Sequence, residues 1–386
     1  MGGRFSTVEA LVSPAVPRRV PDAAVWQGRR VLVTGHTGFK GSWLVRWLAA
    51  LGAEVHGLAL DPPTVPSLFV SAAVDRVLTS DHRVDLRDAP AVDAVVAEVR
   101  PSVVLHLAAQ PLVRDGVRDP SGTFGTNVQG TTHLLSALRS IHVQHPVDAV
   151  VVITTDKVYE PRLEAHAEDD LLGGHDPYAW SKVMVEQVVE AFRGLPALDG
   201  TPAWSIPMAT ARAGNVIGGG DWSGERLVPD CIRAFASAAP VRLRFPDSVR
   251  PWQHVLEPLR GYLLLAEALI RPDGAQHARP YNFGPDSADD ATVGDVARLL
   301  AARWGEGATV ADEVESAPLE NPSLRLRSDR ARTALGWVPW WDLTATLDAT
   351  LDAYRGLVDG ADGGRIVDDQ IATYVRAGGD GALDHG

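Results

Sequence analysis

A glycine turn near the start of the chain limits its fold more than any other feature. In VLVTGHTGFKGSWLVRWLA a short apolar run meets Gly35, Gly38 and Gly41, then an apolar stretch at helical spacing. Gly35 suits a tight turn, Gly38 lets the backbone approach a pyrophosphate, and Gly41 lets a helix lie close on a strand. The helix N-terminus then offers unpaired N–H groups to the phosphates. Such a turn predicts a βαβ unit around it. The first half continues in kind. AEVHGLAL, PSVVLHLAA and DAVVVITT read as strands, while VDAVVAEVR, TTHLLSALRSI and YAWSKVMVEQVVEAFRG read as helices. This alternation predicts the α/β class, with a doubly wound parallel sheet of the Rossmann type.

The 386 residues allow two or three domain-sized units at about 150 each. Residues 26–205 are expected to form the dinucleotide-binding domain. Residues 206–386 are expected to build mainly a smaller C-terminal substrate lobe over the carboxyl edge of the sheet, with some segments returning to the first domain. Pro14, Pro17 and Pro21 break up residues 1–25, which read as a poorly ordered extension, and the last dozen residues read as frayed. There are no internal repeats. The net charge of −13, from 36 Lys+Arg against 49 Asp+Glu, argues against a nucleic-acid surface. Neither a signal peptide nor a run of about 18 apolar residues is present, so a cytoplasmic protein without membrane contact is expected. One cysteine, Cys231, leaves no intramolecular disulfide and no multi-thiolate metal site, and no metal is expected.

Tyr178 and Lys182 stand at i and i+4, on one helix face. A phenol with a reference pKa of about 10 is a poor base at neutral pH, and a nearby ammonium is expected to lower it. The pair can then take a hydroxyl proton while a hydride leaves. About twenty residues earlier, ITTDKVY places Thr155, Asp156 and Lys157 at a strand end, where such sheets carry out their chemistry. An acid beside a base is more than oxidation needs. Removing water from a sugar needs both: an acid for the leaving hydroxyl and a base for the proton beside a ketone.

The Gly-x-x-Gly-x-x-Gly spacing resembles the extended short-chain dehydrogenases/reductases. Asp85-Leu86, the loop HLAAQ, Asn127 in GTNVQGT and Tyr-x-x-x-Lys add to that resemblance. It implies NAD held by Gly35, Thr37, Gly38, Phe39, Lys40, Gly41, Asp61, Asp85, Leu86, Leu107, Ala108, Ala109, Gln110, Thr126, Tyr178, Lys182 and Arg212. Asp61 lies twenty positions beyond Gly41, where an acid normally holds the ribose hydroxyls, and no arginine is next to it in the sequence. NAD is therefore favoured over NADP.

A narrower resemblance follows. GHTGFKGSWL, HLAAQPLVR, TTDKVY, RAGNVIGGGDW, RLVPD and RPWQHVLEPLRGY are similar to the CDP-glucose 4,6-dehydratases, in order from about Trp26 to about residue 350. The family implies conversion of CDP-D-glucose to CDP-4-keto-6-deoxy-D-glucose, with NAD recycled. Tyr178 would take the 4-hydroxyl proton, Thr155 would hydrogen-bond the 4-oxygen, Lys157 would remove the proton on carbon 5, and Asp156 would protonate the departing 6-hydroxyl. Arg114, Asn215, Arg226, Leu227, Val228 and Arg250 would hold the nucleotide sugar, arginine being suited to phosphate. Trp222 and Trp252 could cover a base or sugar. A homodimer through about 123–140 and 178–195 is implied as well. Two departures fall near the expected sugar pocket: Gly116-Val117 replaces the family's Ser-Tyr, and Trp180 replaces a small residue. Alternatives are a dehydratase or epimerase for a UDP-, dTDP- or GDP-linked sugar, and a non-catalytic NAD-binding sensor. An epimerase needs no acid/base pair at the strand end.

Overall fold

The computed structural model describes residues 19–198, 203–286, 290–305, 307–314 and 324–379. Seven strands form one sheet: β1 (Arg30–Thr34), β2 (Glu54–Ala59), β3 (Ser80–Arg83), β4 (Val103–His106), β5 (Ala149–Ile153), β6 (Met208–Ala213) and β7 (Tyr281–Phe283). Their order is β7-β6-β5-β4-β1-β2-β3, with every neighbouring pair parallel. The central strands are rich in β-branched residues and almost entirely buried, as a sheet covered on both faces requires.

Alternation along each strand divides the core in two. Val31, Val33, Leu105 and Val151 face one side, under the helices α1 (Phe39–Ala50) and, further along the chain, Leu256–Ile270. Leu32, Val104, Val150 and Val152 face the other, under α2 (Ala89–Val99), α3 (Gly130–His142) and α4 (Pro177–Arg193). The second half of the chain returns to the sheet with β6 and β7. Between and after them it builds a smaller lobe from α5 (Leu227–Ala236), the helices Val293–Trp304 and Leu343–Val358, and short strand pairs. A separate core of Ile217, Val228, Cys231, Trp252, Leu300 and Tyr354 holds this lobe together.

Two expectations about the ends are corrected. Residues 19–25 are anchored: the Asp22 amide donates to Glu267 Oε1 at 2.7 Å, and Arg260 donates to the Arg19 carbonyl at 3.0 Å. Residues 1–18 lie outside the described residues. The C-terminal helix continues from Gly363 to Gly379, so only the stretch beyond it lies outside. Tryptophan accounts for part of this anchoring. The Arg260 guanidinium lies 3.8 Å from the Trp340 ring centroid, while Glu257 accepts the amides of Trp340 and Trp341 at 2.8 Å each. Among the described residues, no helix is long and apolar enough to cross a membrane. No cluster of three or more His, Cys, Asp or Glu suited to a metal occurs among them either.

Candidate active site

The glycine turn joins β1 to α1. Gly35 has φ +73, and a Cβ there would lie 2.7 Å from the Ala108 amide nitrogen. A Cβ on Gly41 would lie 2.2 Å from the Gly35 carbonyl oxygen. At Gly38 the nearest neighbour is 3.4 Å away, so that face of the turn is open. Two glycines thus let the chain fold tightly, and the third leaves room above the N-terminus of α1. This arrangement fits a dinucleotide pyrophosphate. Leu107, Ala108 and Ala109 run beside the turn after β4. Gln110 is fixed next to them: its amide donates to Asn127 Oδ1 at 2.8 Å. Asn127 also donates to Ser181 Oγ at 2.8 Å. It sits in a π-helical turn, Gly125–Gln129, so one side chain ties the cofactor loop to α4. Gln110 and Thr126 line a cavity of about 170 Å³ with Arg87 and Thr123. Leu86 is buried with its carbonyl held by the His133 ring, and Asp85 is paired with Arg87.

The candidate catalytic residues meet where β5 ends against α4. Asp176 caps α4, accepting the Ala179 amide at 2.9 Å, and Pro177 opens its first turn. This places Tyr178 and Lys182 in the buried face of the helix. Lys182 Nζ donates to the Ile153 carbonyl at 2.9 Å. One turn later Glu186 accepts from Thr154 Oγ1 at 2.6 Å. Helix and strand end are thus locked in register. The Thr155 hydroxyl donates to Asp156 Oδ1 at 3.0 Å and opposes the upward shift of the Tyr178 phenol.

One electrostatic expectation is corrected. Burial pushes Tyr178 up to about 12, and the groups opposing that rise are Thr155 and Arg226, not Lys182. The Lys182 ammonium spends a hydrogen bond on Ile153 instead. Burial also raises the Asp156 carboxyl above its ordinary range, against Lys157, Thr155, Arg250 and Lys40. It therefore carries its proton more readily than a solvated acid. Asp156 Oδ2 is buried and has no hydrogen-bond partner among the described residues. Lys40 reaches further than expected. Besides lying in the glycine turn it faces Asp156 and Lys182, and burial with Arg226 draws it down to about 7.

On the substrate side, Arg226 donates to Asp221 at 2.8 Å at the start of α5. Its charge acts on both Tyr178 and Lys40, so it belongs to the same centre. Arg250 is buried close enough to act on Asp156. Asn215 is half-buried just after β6. Leu227 is half-buried, and Val228 packs into the lobe core beside Cys231, leaving its backbone as the part available to a ligand. Arg114 pairs with Glu225 at 3.0 Å across the cleft.

Several sequence-based placements change. Arg212 was expected at the cofactor, but it is 2% exposed. Its guanidinium bonds Glu186 at 2.8 and 3.0 Å, Tyr159 at 2.7 Å and the Glu168 carbonyl at 2.9 Å. Arg212 therefore supports the strand end from behind. Asp61 follows the end of β2 and its side chain is 91% exposed, with Arg83 of β3 at 3.7 Å. Folding thus supplies the arginine that is missing beside Asp61 in the sequence. Arg83 is already bound to Asp81, so the corner keeps an acidic balance and favours ribose hydroxyls over a 2′-phosphate. Trp180 is 45% exposed and lies with Met184 on the outward face of α4, away from the expected sugar pocket. Trp252 is buried with its indole on the Ala291 carbonyl, a packing role. Gly116 has a structural reason: a Cβ there would meet the Tyr178 amide at 3.2 Å. Glu186 was missed, although its place four residues after Lys182 was visible.

Fold and site together define a nucleotide-dependent enzyme on the extended short-chain dehydrogenase/reductase plan. A family model described as "NAD dependent epimerase/dehydratase family" matches residues 31–284, and the chain belongs to that family. The chain is 42% identical to a CDP-glucose 4,6-dehydratase of Salmonella typhimurium, over 92% of its own length and 99% of the relative's. It is 30% identical to a dTDP-glucose 4,6-dehydratase of Streptomyces griseus, over 84% and 94%. Among solved structures, DesIV of Streptomyces venezuelae, a dTDP-glucose 4,6-dehydratase with NAD bound, superposes with TM-score 0.72 at 24% identity, covering 86% of this chain and 99% of that one. A UDP-glucuronic acid 4-epimerase of Bacillus cereus gives TM-score 0.71 at 23%, covering 85% and 99%. These two likenesses concern the fold.

Proposed function

We propose that the chain is an NAD-dependent hydro-lyase converting CDP-D-glucose to CDP-4-keto-6-deoxy-D-glucose and water, in deoxysugar biosynthesis. The observation that carries this reading is a buried Asp156, its carboxyl raised above the ordinary range by desolvation and hydrogen-bonded by Thr155, with Lys157 next in sequence and the buried Tyr178 in the first turn of the neighbouring helix. The relation to a CDP-glucose 4,6-dehydratase over nearly the whole chain supports the choice of nucleotide.

The turn of Gly35, Gly38 and Gly41 would hold NAD, which would supply the hydride acceptor for carbon 4 and the hydride donor for carbon 6, so that no outside oxidant would be needed. Tyr178 takes the 4-hydroxyl proton, and Thr155 holds the 4-oxygen. The ketone acidifies carbon 5, and Lys157 removes that proton. The freed electron pair forms the double bond between carbons 5 and 6. The bond from carbon 6 to oxygen breaks as Asp156 gives the oxygen its proton, and water leaves. Lys157 then returns a proton to carbon 5. Arg226 and Arg250 hold the diphosphate side.

The direct test is incubation with CDP-, UDP- and dTDP-glucose and UDP-N-acetylglucosamine, reading products by mass. Loss of water from the CDP sugar is expected, and no product from CDP-glucose would refute the substrate. Asp156→Asn should oxidise carbon 4 yet slow water loss by about 10²–10⁴-fold, the usual range for a lost general acid. Full dehydration by that variant would end the scheme.

A cytoplasmic homodimer fits this activity. Trp180 and Met184 form an exposed apolar strip on α4, within the segment expected at the interface. Trp180→Glu should shift the protein to monomer in gel filtration, and an unchanged elution would place the interface elsewhere.

A further inference from the structure

Gly214 directly follows β6 and is buried. It is absent from the glycines with positive φ, so any residue could adopt its backbone conformation. The demand for glycine is therefore one of space. A Cβ at this position would lie 2.1 Å from Asp156 Oδ2, 2.7 Å from Asp156 Cγ and 2.8 Å from Pro251 Cγ. The Asp156 carboxyl thus rests against a bare Cα. The backbone around it is tied down as well. Gln253 Nε2 donates to the Gly214 carbonyl at 3.2 Å and to the Phe283 carbonyl at 2.8 Å. The Gln253 amide donates to Asn215 at 3.3 Å. Gln253 thus ties down the backbone at 214 and 215, and Pro251 lies beside the place a side chain at 214 would take.

We propose that Gly214 is a positioning residue for the dehydration step, its missing side chain setting where the Asp156 carboxyl sits relative to the 6-hydroxyl of an oxidised sugar. The inference rests on the 4,6-dehydratase reading above. A methyl group at 214 meets the far end of a short side chain, so the fold can survive by rotating Asp156 aside. Rotation moves the proton donor by an ångström or more, and a displacement of that size costs about 100-fold in a positioned step. Oxidation of carbon 4 uses the Tyr178 phenol, which is not among the atoms nearest a Cβ at 214.

The test compares wild type, Gly214→Ala, Asp156→Asn and the double variant in single turnovers with CDP-glucose, after thermal melts confirm that each is folded. Product masses separate oxidised sugar that keeps its 6-hydroxyl from sugar that has lost water. Gly214→Ala should slow water loss about 100-fold while oxidation changes by no more than about threefold, so the oxidised sugar accumulates. In the double variant, water loss should be no slower than in Asp156→Asn alone, since both changes disable the same acid. Wild-type dehydration by Gly214→Ala, equal loss of both steps, or additive losses in the double variant would overturn the proposal. If wild type itself releases no dehydrated CDP sugar, the 4,6-dehydratase reading fails instead.

Discussion

Glu186→Ala is expected to destabilise the protein by about 3–5 kcal/mol, enough to unfold a chain with little reserve. Glu186 and Arg212 are both almost fully buried, and their side chains meet through two hydrogen bonds. Thr154 and Thr210 each donate to the same carboxylate at 2.6 Å. Removing the acid leaves a buried guanidinium without its counter-charge, and that uncompensated charge is the source of the loss. A double replacement, Glu186→Gln with Arg212→Met, should recover most of the stability because neither charge remains. Urea unfolding of the three proteins measures it, and a Glu186→Ala loss below about 1 kcal/mol would contradict the buried pair. Burial alone would raise the Glu186 carboxyl, but Arg212 and the two threonines bring it below its ordinary value. Its folded value then lies under the unfolded one of about 4.3. The contribution is therefore complete above that pH and is lost as pH falls through the lower, folded value.

Tyr178→Phe is the second large effect, an expected loss of about 10²–10⁴-fold in kcat at every pH. The phenol is pushed up to about 12 before any ligand binds, so it remains protonated at neutral pH and must be activated by the bound reactants. An alkaline limit is expected from Lys182. Burial draws its ammonium down to about 8, while Glu186 opposes that fall. Activity that depends on the charged lysine should therefore drop as pH rises through about 8. Lys182→Arg should carry the drop to higher pH, and Glu186→Gln, if folded, should bring it lower. A flat profile from neutral to strongly alkaline pH would remove Lys182 from this role, and a Tyr178→Phe enzyme with more than a tenth of wild-type activity would remove the tyrosine.

Much of the site was legible because its parts are local. The glycine turn and the Tyr-x-x-x-Lys face each lie within a few residues of sequence, and helix or strand geometry sets their relations. Trp180, expected near the sugar pocket, was misplaced although helix geometry argued against it. It lies two positions from Tyr178, about 200° around a helix, so it had to leave the catalytic face. Arg212 was not readable. A cation at the end of a parallel strand looks the same whether it meets a phosphate or a buried acid on another element. Asp61 presents a similar problem, since its arginine comes from β3 and not from its own strand.

By itself the sequence determined the doubly wound sheet and the glycine turn, and it picked out the candidate acid, base and phenol. Backbone periodicity and the steric needs of glycine act over short distances, and they leave their marks in spacing. Only the tertiary structure decided what each charge faces. Burial raised Asp156 and Tyr178, the charge of Lys40 came within reach of Asp156, Arg212 was committed to Glu186, and Gly214 left no space for a side chain beside the Asp156 carboxyl. Desolvation and clearance depend on atoms brought together from distant parts of the chain, and no spacing rule in the sequence records them.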